Sequence, residues 1–210
     1  SMQRYDLGLL AEEGEQDESR LYKHAFWTID PLDGTQCFVE GREGYATSIA
    51  LVSKAGQTIL GVVYDPVYEQ LYHAVKGGGF YINGIRQDHL AKASEGTATK
   101  WFADRSLRKH LHFERYQAHF DIRFAGGAVM NVIQMLEEPN SCYCKAPKKP
   151  LGGCAIWDLA AVSLMLQERF GSAQFHDGTP LHLNRPETIF FNDVGLLFTG
   201  SGLGFADVSA

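Results

Sequence analysis

From Ala46 to Ser53 small and branched residues alternate, with Ala46, Ser48, Ala50 and Val52 set against Thr47, Ile49 and Leu51. That period of two marks a half-buried strand, and Ala55-Gly56 then turns the chain. Further strands are predicted at residues 25–29, Thr58 to Tyr64, Gln70 to Val75 and Phe80 to Ile82, the last closed by an Asn83-Gly84 hairpin turn. Gly77-Gly78-Gly79 invites reading as a phosphate loop, but a strand-like stretch follows it and no helix does, so the first half reads as an antiparallel meander. The second half changes period. Residues 97–103, Ile122 to Phe124, 141–145, Ala173 to His176 and Gly195 to Thr199 read as strands, and residues 106–119, Ala128 to Leu136 and Ile156 to Phe170 as helices. The last helix is apolar nearly all round and is expected to be buried. Strands and helices mix without strict alternation, which predicts an α/β (α+β) class with a mixed sheet layered against helices.

At 210 residues the chain is expected to form one domain, 1–210, with halves of about 1–95 and 96–210. Ser1-Met2 reads as a tag remnant before the native start. A net charge of −6, from 19 basic and 25 acidic residues, excludes the basic field of a nucleic-acid-binding surface. No apolar run is long enough to span a bilayer, and no signal peptide is expected. Cys37, Cys142, Cys144 and Cys154 do not make a disulfide scaffold in a chain of this length. A Zn²⁺ site on Cys142, Cys144 and Cys154 lacks a C-x-x-C or a His pair to complete it. Reduced, partly buried thiols are the expectation, which suits the cytoplasm.

The chemistry concentrates in Trp27-Thr28-Ile29-Asp30-Pro31-Leu32-Asp33-Gly34-Thr35. A strand runs into Asp30 and is expected to stop at Pro31, Asp33 follows, and Gly34-Thr35 turns the chain. Two carboxylates and the carbonyl of Leu32 thus crowd one loop. Carboxylates this close repel, and a hard divalent cation such as Mg²⁺ relieves the repulsion through oxygen ligands. The amides of Gly34 and Thr35 suit a phosphate. An ordinary Asp-Pro and Asp-Gly turn accounts for the same residues.

Glu12-Glu13 opens an acidic run with Glu15, Asp17 and Glu18 that, alone, reads as solvated surface. Asp158 suits the first turn of the buried helix. Yet beside Trp157, with no evident cationic partner, its carboxylate is costly to bury, and a metal ion removes that cost. Glu12, Asp30, Asp33 and Asp158 together suggest one multi-metal site. Gly126-Gly127 fits a plain strand-to-helix turn or a substrate contact. Lys145, Lys148 and Lys149 fit a solvated loop or a second substrate phosphate. The eight histidines show no metal spacing, and a Ca²⁺ site of EF-hand type lacks its loop.

Asp30-Pro31-Leu32-Asp33-Gly34-Thr35, preceded by the Glu pair and followed far downstream by Trp157-Asp158-Leu159-Ala160-Ala161, resembles the inositol monophosphatase superfamily of Mg²⁺-dependent, lithium-sensitive phosphatases. Ile156-Trp157-Asp158, Asp177-Gly178-Thr179-Pro180-Leu181 and Gly61-Val62-Val63-Tyr64-Asp65-Pro66-Val67 look most like its 3′(2′),5′-bisphosphate nucleotidase branch. The resemblance covers nearly the whole chain and implies the layered sugar phosphatase fold. It implies that Glu12, Asp30 and the Leu32 carbonyl hold one Mg²⁺, that Asp30, Asp33 and Asp158 hold a second, and that a third, weaker ion sits near Glu12. One ion lowers the pKa of a water that Thr35 helps position for in-line attack, and the other stabilises the leaving oxygen. Catalytic roles then fall to Glu12, Asp33 and Thr35, and Li⁺ is expected to inhibit. Substrate contacts fall to Gly34, Thr35, Gly127 and Ala128, with Lys148 on a second phosphate.

Members of that family begin with roughly a quarter more chain, judged from their domain size. That extra segment is a helix pair that covers the sheet and brings another Asp. With the Glu pair at positions 12–13, this sequence is expected to be N-terminally short and to lack that pair, leaving an exposed apolar face that favours self-association, a homodimer among its forms. Asn131 also stands where the nucleotidase branch commonly has Lys. The expected function is a cytoplasmic Mg²⁺-dependent phosphomonoesterase acting on a small sugar or nucleotide phosphate. 3′-Phosphoadenosine 5′-phosphate, cleaved to AMP and phosphate, is the first substrate and inositol monophosphate the second. The alternative from another class is a short metal-binding member with little or no catalysis, acting in binding or assembly. No nucleic acid polymer and no membrane is expected as partner.

Overall fold

The computed structural model describes residues 6–15, 18–87, 97–149, 152–200 and 203. Ser1-Met2, Asp17 and the 95/96 boundary between the two halves lie outside the described residues.

The chain begins with β1 (Gly8–Ala11) and a single helical turn, α1 (Ser19–Tyr22), before β2 (Ala25–Asp33) and the short α2 (Thr35–Val39). β3 (Ala46–Ser53), β4 (Thr58–Asp65), β5 (Gln70–Val75), β6 (Gly79–Ile82) and β7 (Ile85–Gln87) then form the expected meander. These seven strands make one sheet in sequence order, all antiparallel except β1, which runs parallel to β2. β1, α1 and α2 are too short to carry a periodic signal, and the sequence pattern did not predict them.

β2 does not stop at proline, contrary to expectation. It continues through Pro31 to Asp33, with Asp30 opposite Ser48 and Asp33 opposite Ala46. Between those pairs β2 advances three residues while β3 advances two, so one residue is extra, and the strand bulges. The consequence is one of parity. Side chains three apart on a regular strand point to opposite faces, but across this bulge both Asp30 and Asp33 lie on the buried face, 1% and 7% exposed.

The second half adds β8 (Lys100–Phe102), α3 (Phe113–His119), β9 (Asp121–Arg123), α4 (Ala128–Glu137), β10 (Ser141–Lys145), α5 (Ile156–Glu168), β11 (Ser172–Phe175) and β12 (Leu196–Thr199). Its five strands form a mixed sheet in the order β11-β12-β10-β8-β9. The helix predicted over residues 106–119 is broken into a 3₁₀ turn, Arg105–Lys109, and α3. Leu107, Tyr116 and Phe120 all pack around Trp101 and Cys142 on one face of this sheet. In a single helix Leu107 would point away from Tyr116, since nine residues make two and a half turns. The chain breaks so that both reach Trp101.

α5 packs against β2 to β6 on one side and against α4 and β11 on the other, so α4 and α5 form a layer between the sheets. The large core contains both helices and the inner faces of both sheets. α5 comes unusually close to the first sheet because Ala50, Gly61 and Ala74 face it. Thr58 Oγ1 donates to the carbonyl of Ala160 at 2.9 Å and Ser48 Oγ to that of Trp157 at 3.2 Å, tying sheet side chains to helix backbone. Among the described residues no helix is long and apolar enough to cross a membrane. All four cysteines are free thiols.

The opposite face of the seven-stranded sheet is apolar. Register places Leu9, Trp27, Leu51, Leu60 and Val75 in one row across five strands. Leu9 is 51% and Val75 45% exposed, and Tyr64 and Leu71, two rows along, are each 40% exposed.

A β-carbon at Gly61 would lie 2.8 Å from Ala161 Cα and 2.9 Å from its carbonyl oxygen, both backbone atoms of a buried helix. Gly61→Ala should therefore cost about 2 kcal/mol or more through overpacking, read as a lower urea midpoint with an unchanged slope.

Candidate active site

The bulge delivers Asp30 and Asp33 to the end of β2, and α5 delivers Asp158 from its first turn. One carboxylate oxygen from each of the three lies within 4.8 Å of the others, the one such group of possible metal ligands among the described residues. Each carboxylate is steered by a backbone donor from a different segment. Asp30 Oδ1 accepts the N–H of Leu32 at 2.9 Å, Asp33 Oδ2 that of Val129 at 3.0 Å, and Asp158 Oδ2 that of Ala155 at 2.7 Å. Glu12, on the turn after β1, hydrogen-bonds Asp30 through its side chain while its own N–H donates to the carbonyl of Ile29 at 3.1 Å.

Burial makes this crowding expensive. Burial and then the charges of Asp158 and Asp30 hold the Asp33 carboxyl well above the usual carboxylate range. Desolvation also raises Asp30 to about 6 and Asp158 to about 6. Glu12 rises to about 7, first by desolvation and then by its bond to Asp30 and that group's charge. The expectation that Asp158 lacks a cationic partner is corrected here. The Lys145 ammonium lies near enough to lower its pKa, though it does not offset the desolvation. Lys145 is itself paired with Asp104, Nζ to Oδ2 2.7 Å, and Asp104 also accepts the hydroxyl of Tyr143 at 3.0 Å.

The acidic group opens on a cavity of about 360 Å³ lined by Glu12, Asp30, Leu32, Asp33 and Asp158, and also by Gly34, Thr35, Gly127 and Ala128. Of the residues singled out from sequence, Lys148 stands apart. It lines an adjoining cavity of about 630 Å³ with Trp101, Tyr116, Phe120 and Phe191, and Asp104, Ser106 and Lys145 border both cavities. Lys149 is exposed. Asp104 and Ser106 were not singled out from sequence, since they follow a strand of three residues with no motif around them.

Local backbone geometry explains why glycine occupies two of these positions. A β-carbon on Gly127 would fall 2.2 Å from Asp33 Oδ2, inside the acidic group itself. Gly126 has φ +146°, and its β-carbon would fall 2.1 Å from the carbonyl oxygen of Gly44. That same oxygen accepts the N–H of Gly127 at 2.9 Å. Thr35 Oγ1 donates to the Leu32 carbonyl at 3.1 Å, so hydroxyl and carbonyl meet at the cavity wall.

The donor set is all oxygen and all hard, buried where the ionised state is opposed by desolvation and mutual repulsion. A divalent cation with oxygen ligands relieves both, so these residues fit one.

Known proteins resemble this chain in sequence and in fold. Residues 3–190 match the model of the inositol monophosphatase family. An inositol-1-monophosphatase from Rhizobium meliloti is 31% identical over 173 residues, 78% of this chain and 61% of that protein. A 3′(2′),5′-bisphosphate nucleotidase, CysQ, from Aggregatibacter actinomycetemcomitans is 28% identical over 176 residues, again 78% and 61%. The chain thus spans about six-tenths of the length of these relatives. The crystal structure of inositol monophosphatase-II from Staphylococcus aureus superposes with a TM-score of 0.77 at 26% identity, covering 97% of this chain and 73% of that one. A 2′-AMP-bound SaIMPase-II structure gives 0.77 at 25% identity, covering 97% and 74%. With the family model matched over most of its length, this chain belongs to the inositol monophosphatase family.

Proposed function

We propose that this chain is a Mg²⁺-dependent phosphomonoesterase acting on a small nucleotide or sugar phosphate. The observation that carries the reading is the group of three carboxylates, two buried and one half-buried, within 4.8 Å of one another and facing a cavity also lined by Gly34, Thr35, Gly127 and Ala128. Divalent cations held by Glu12, Asp30, the Leu32 carbonyl, Asp33 and Asp158 would supply Lewis acidity and neutralise charge on the phosphoryl oxygens.

The chain's own groups do the rest. The Gly34 and Thr35 amides orient the phosphate. Thr35 Oγ, fixed against the Leu32 carbonyl, orients the attacking water. Glu12, exposed at the rim beside Asp30, takes up that water's proton. Asp33 stays fixed by the Val129 N–H, so its carboxylate need not reorganise during the reaction.

The adjoining cavity supports 3′-phosphoadenosine 5′-phosphate as substrate. Trp101, Tyr116, Phe120 and Phe191 suit a planar base, and Trp101 Nε1 is buried with no acceptor among the described residues. Lys148, in the same cavity, suits a second phosphate. The CysQ relative and the 2′-AMP-bound neighbour are consistent with such a ligand. Inositol monophosphate is the second reading, favoured by the Rhizobium meliloti relative. Inhibition by Li⁺ and a cytoplasmic setting, where four free thiols stay reduced, belong to the same reading.

Two outcomes are expected. Phosphate release from 3′-phosphoadenosine 5′-phosphate should require Mg²⁺ and stop with EDTA. Asp30→Asn should lower kcat at least about a hundredfold, ~2.7 kcal/mol of barrier. A colorimetric phosphate assay reads both. Mg²⁺ uptake without release from either substrate would point instead to a binding member of the family.

Thermal melting gives a second test. Saturating Mg²⁺ should stabilise the wild type, by ~2.7 kcal/mol at a hundredfold excess over Kd. In EDTA, Asp158→Asn should melt higher than wild type, because one buried charge is gone while an oxygen remains for the Ala155 N–H. The same variant should lose most of the Mg²⁺ shift. A variant that melts lower in EDTA would show that repulsion among these carboxylates is not a net cost.

The uncharged rows on the outer sheet face support self-association. Sedimentation equilibrium should detect species heavier than one chain, and Leu71→Lys with Val75→Lys should reduce them. A single-chain mass for the wild type at all concentrations would remove this part.

A further inference from the structure

α4 buries seven apolar side chains and one polar one, Asn131, which is fully inaccessible to solvent. Burying an amide unpaired is costly, so an apolar residue would be the simpler choice for this layer. Asn131 is not unpaired. Its Oδ1 accepts the N–H of Ala125 at 2.9 Å, and its Nδ2 donates to the carbonyl of Gly126 at 3.1 Å. Both bonds reach back to the turn that precedes its own helix. Its main-chain N–H donates to the Gly127 carbonyl at 3.0 Å, closing a third link to the same turn.

That turn carries unusual backbone geometry and has an exacting task. Gly126 sits at φ +146°, in close contact with the backbone of Gly44. A β-carbon on Gly34 would also fall 2.5 Å from the Gly44 carbonyl oxygen, so the turns around Gly34, Gly44 and Gly126 meet at one oxygen atom. The next residues supply the site. Gly127 lies against the Asp33 carboxylate, Ala128 lines the cavity, and the Val129 N–H holds Asp33 Oδ2.

We propose that Asn131 is a positioning residue for the active site: its side-chain amide pins the Ala125–Gly126 turn and so sets where Gly127, Ala128 and the Asp33 carboxylate stand relative to the bound phosphate. It touches neither substrate nor metal. The part concerning phosphate rests on the functional reading above; the part concerning the turn does not.

The test separates the two. Asn131→Ala is compared with Asn184→Ala, which removes another buried amide, one that bridges Arg20 and Lys54. Amide hydrogen exchange is measured by NMR without ligand. Asn131→Ala should speed exchange at Gly127 and Val129 at least tenfold relative to amides in β3, and Asn184→Ala should leave that ratio unchanged. Inorganic phosphate is then titrated calorimetrically with Mg²⁺ present, where Asn131→Ala should weaken binding at least tenfold and Asn184→Ala should not. Unchanged exchange at Gly127 and Val129, or equal loss of phosphate affinity in both variants, overturns the proposal. A wild type that binds no phosphate overturns the reading of the site instead, and the exchange ratio alone then decides Asn131. Should Asn131→Ala not fold, Asn131→Asp keeps the acceptor for Ala125 and loses only the donor to Gly126. If neither variant folds, Asn131 is a core residue and the proposal fails.

Discussion

One extra residue in β2 is the constraint on which the rest of the site depends. A regular strand would send Asp30 and Asp33 to opposite faces, one into the core and one to the apolar outer surface. The bulge between them returns both to the inner face, where α5 supplies Asp158. Proline fits this position because it lacks the N–H that a regular ladder would use. Thr47 Oγ1 donates to the freed carbonyl of Pro31 at 2.9 Å, so the partner strand stabilises the irregularity it has to accommodate.

Bringing three carboxylates together opposes folding, and the structure offsets this mainly with backbone donors, Lys145 adding a cationic charge near Asp158 alone. Leu32, Val129 and Ala155 each contribute an N–H to a different carboxylate. Such donors fix direction without supplying a full positive charge. The three carboxylates therefore remain raised in pKa even though each is hydrogen-bonded. A site neutralised by lysines or arginines would have little need of a cation; this one retains it. The geometry is set by close backbone contacts among glycines in three separate turns, where side chains could not enter.

Much of this was legible in the sequence, and the boundary is instructive. β3 and β5 were placed to the residue, because alternation over six or eight positions leaves little freedom. α5 was recognisable as buried because it is apolar all round. The grouping of Glu12, Asp30, Asp33 and Asp158 followed from carboxylate chemistry and a motif resemblance, not from periodicity. What escaped the sequence is what depends on contacts between distant segments. The bulge looks like a strand end because Pro31 is normally one. The break between Arg105–Lys109 and α3 is invisible locally, since only Trp101 requires Leu107 and Tyr116 to face the same way. Lys145 read as part of a solvated cluster, yet it is largely buried and paired with Asp104, whereas Lys148 and Lys149 are exposed and have no ion pair among the described residues.

That lysine also explains how two adjoining cavities can act as one site. Its ammonium borders both, bonded to Asp104 and close enough to Asp158 to lower that group's pKa. A ligand spanning the cavities would place its scissile phosphate against the carboxylates and its remaining bulk against Trp101 and Phe191. Lys145 would then lie between the two parts, its ammonium on Asp104 Oδ2 while the Tyr143 hydroxyl occupies Oδ1. Buried charges so arranged discriminate by difference: an ester that leaves the larger cavity empty gains nothing from its aromatic walls. On the proposed function, selectivity among phosphate esters would then be set by the wall of β8, β10, Pro147, Lys148 and Cys154, separately from the carboxylates.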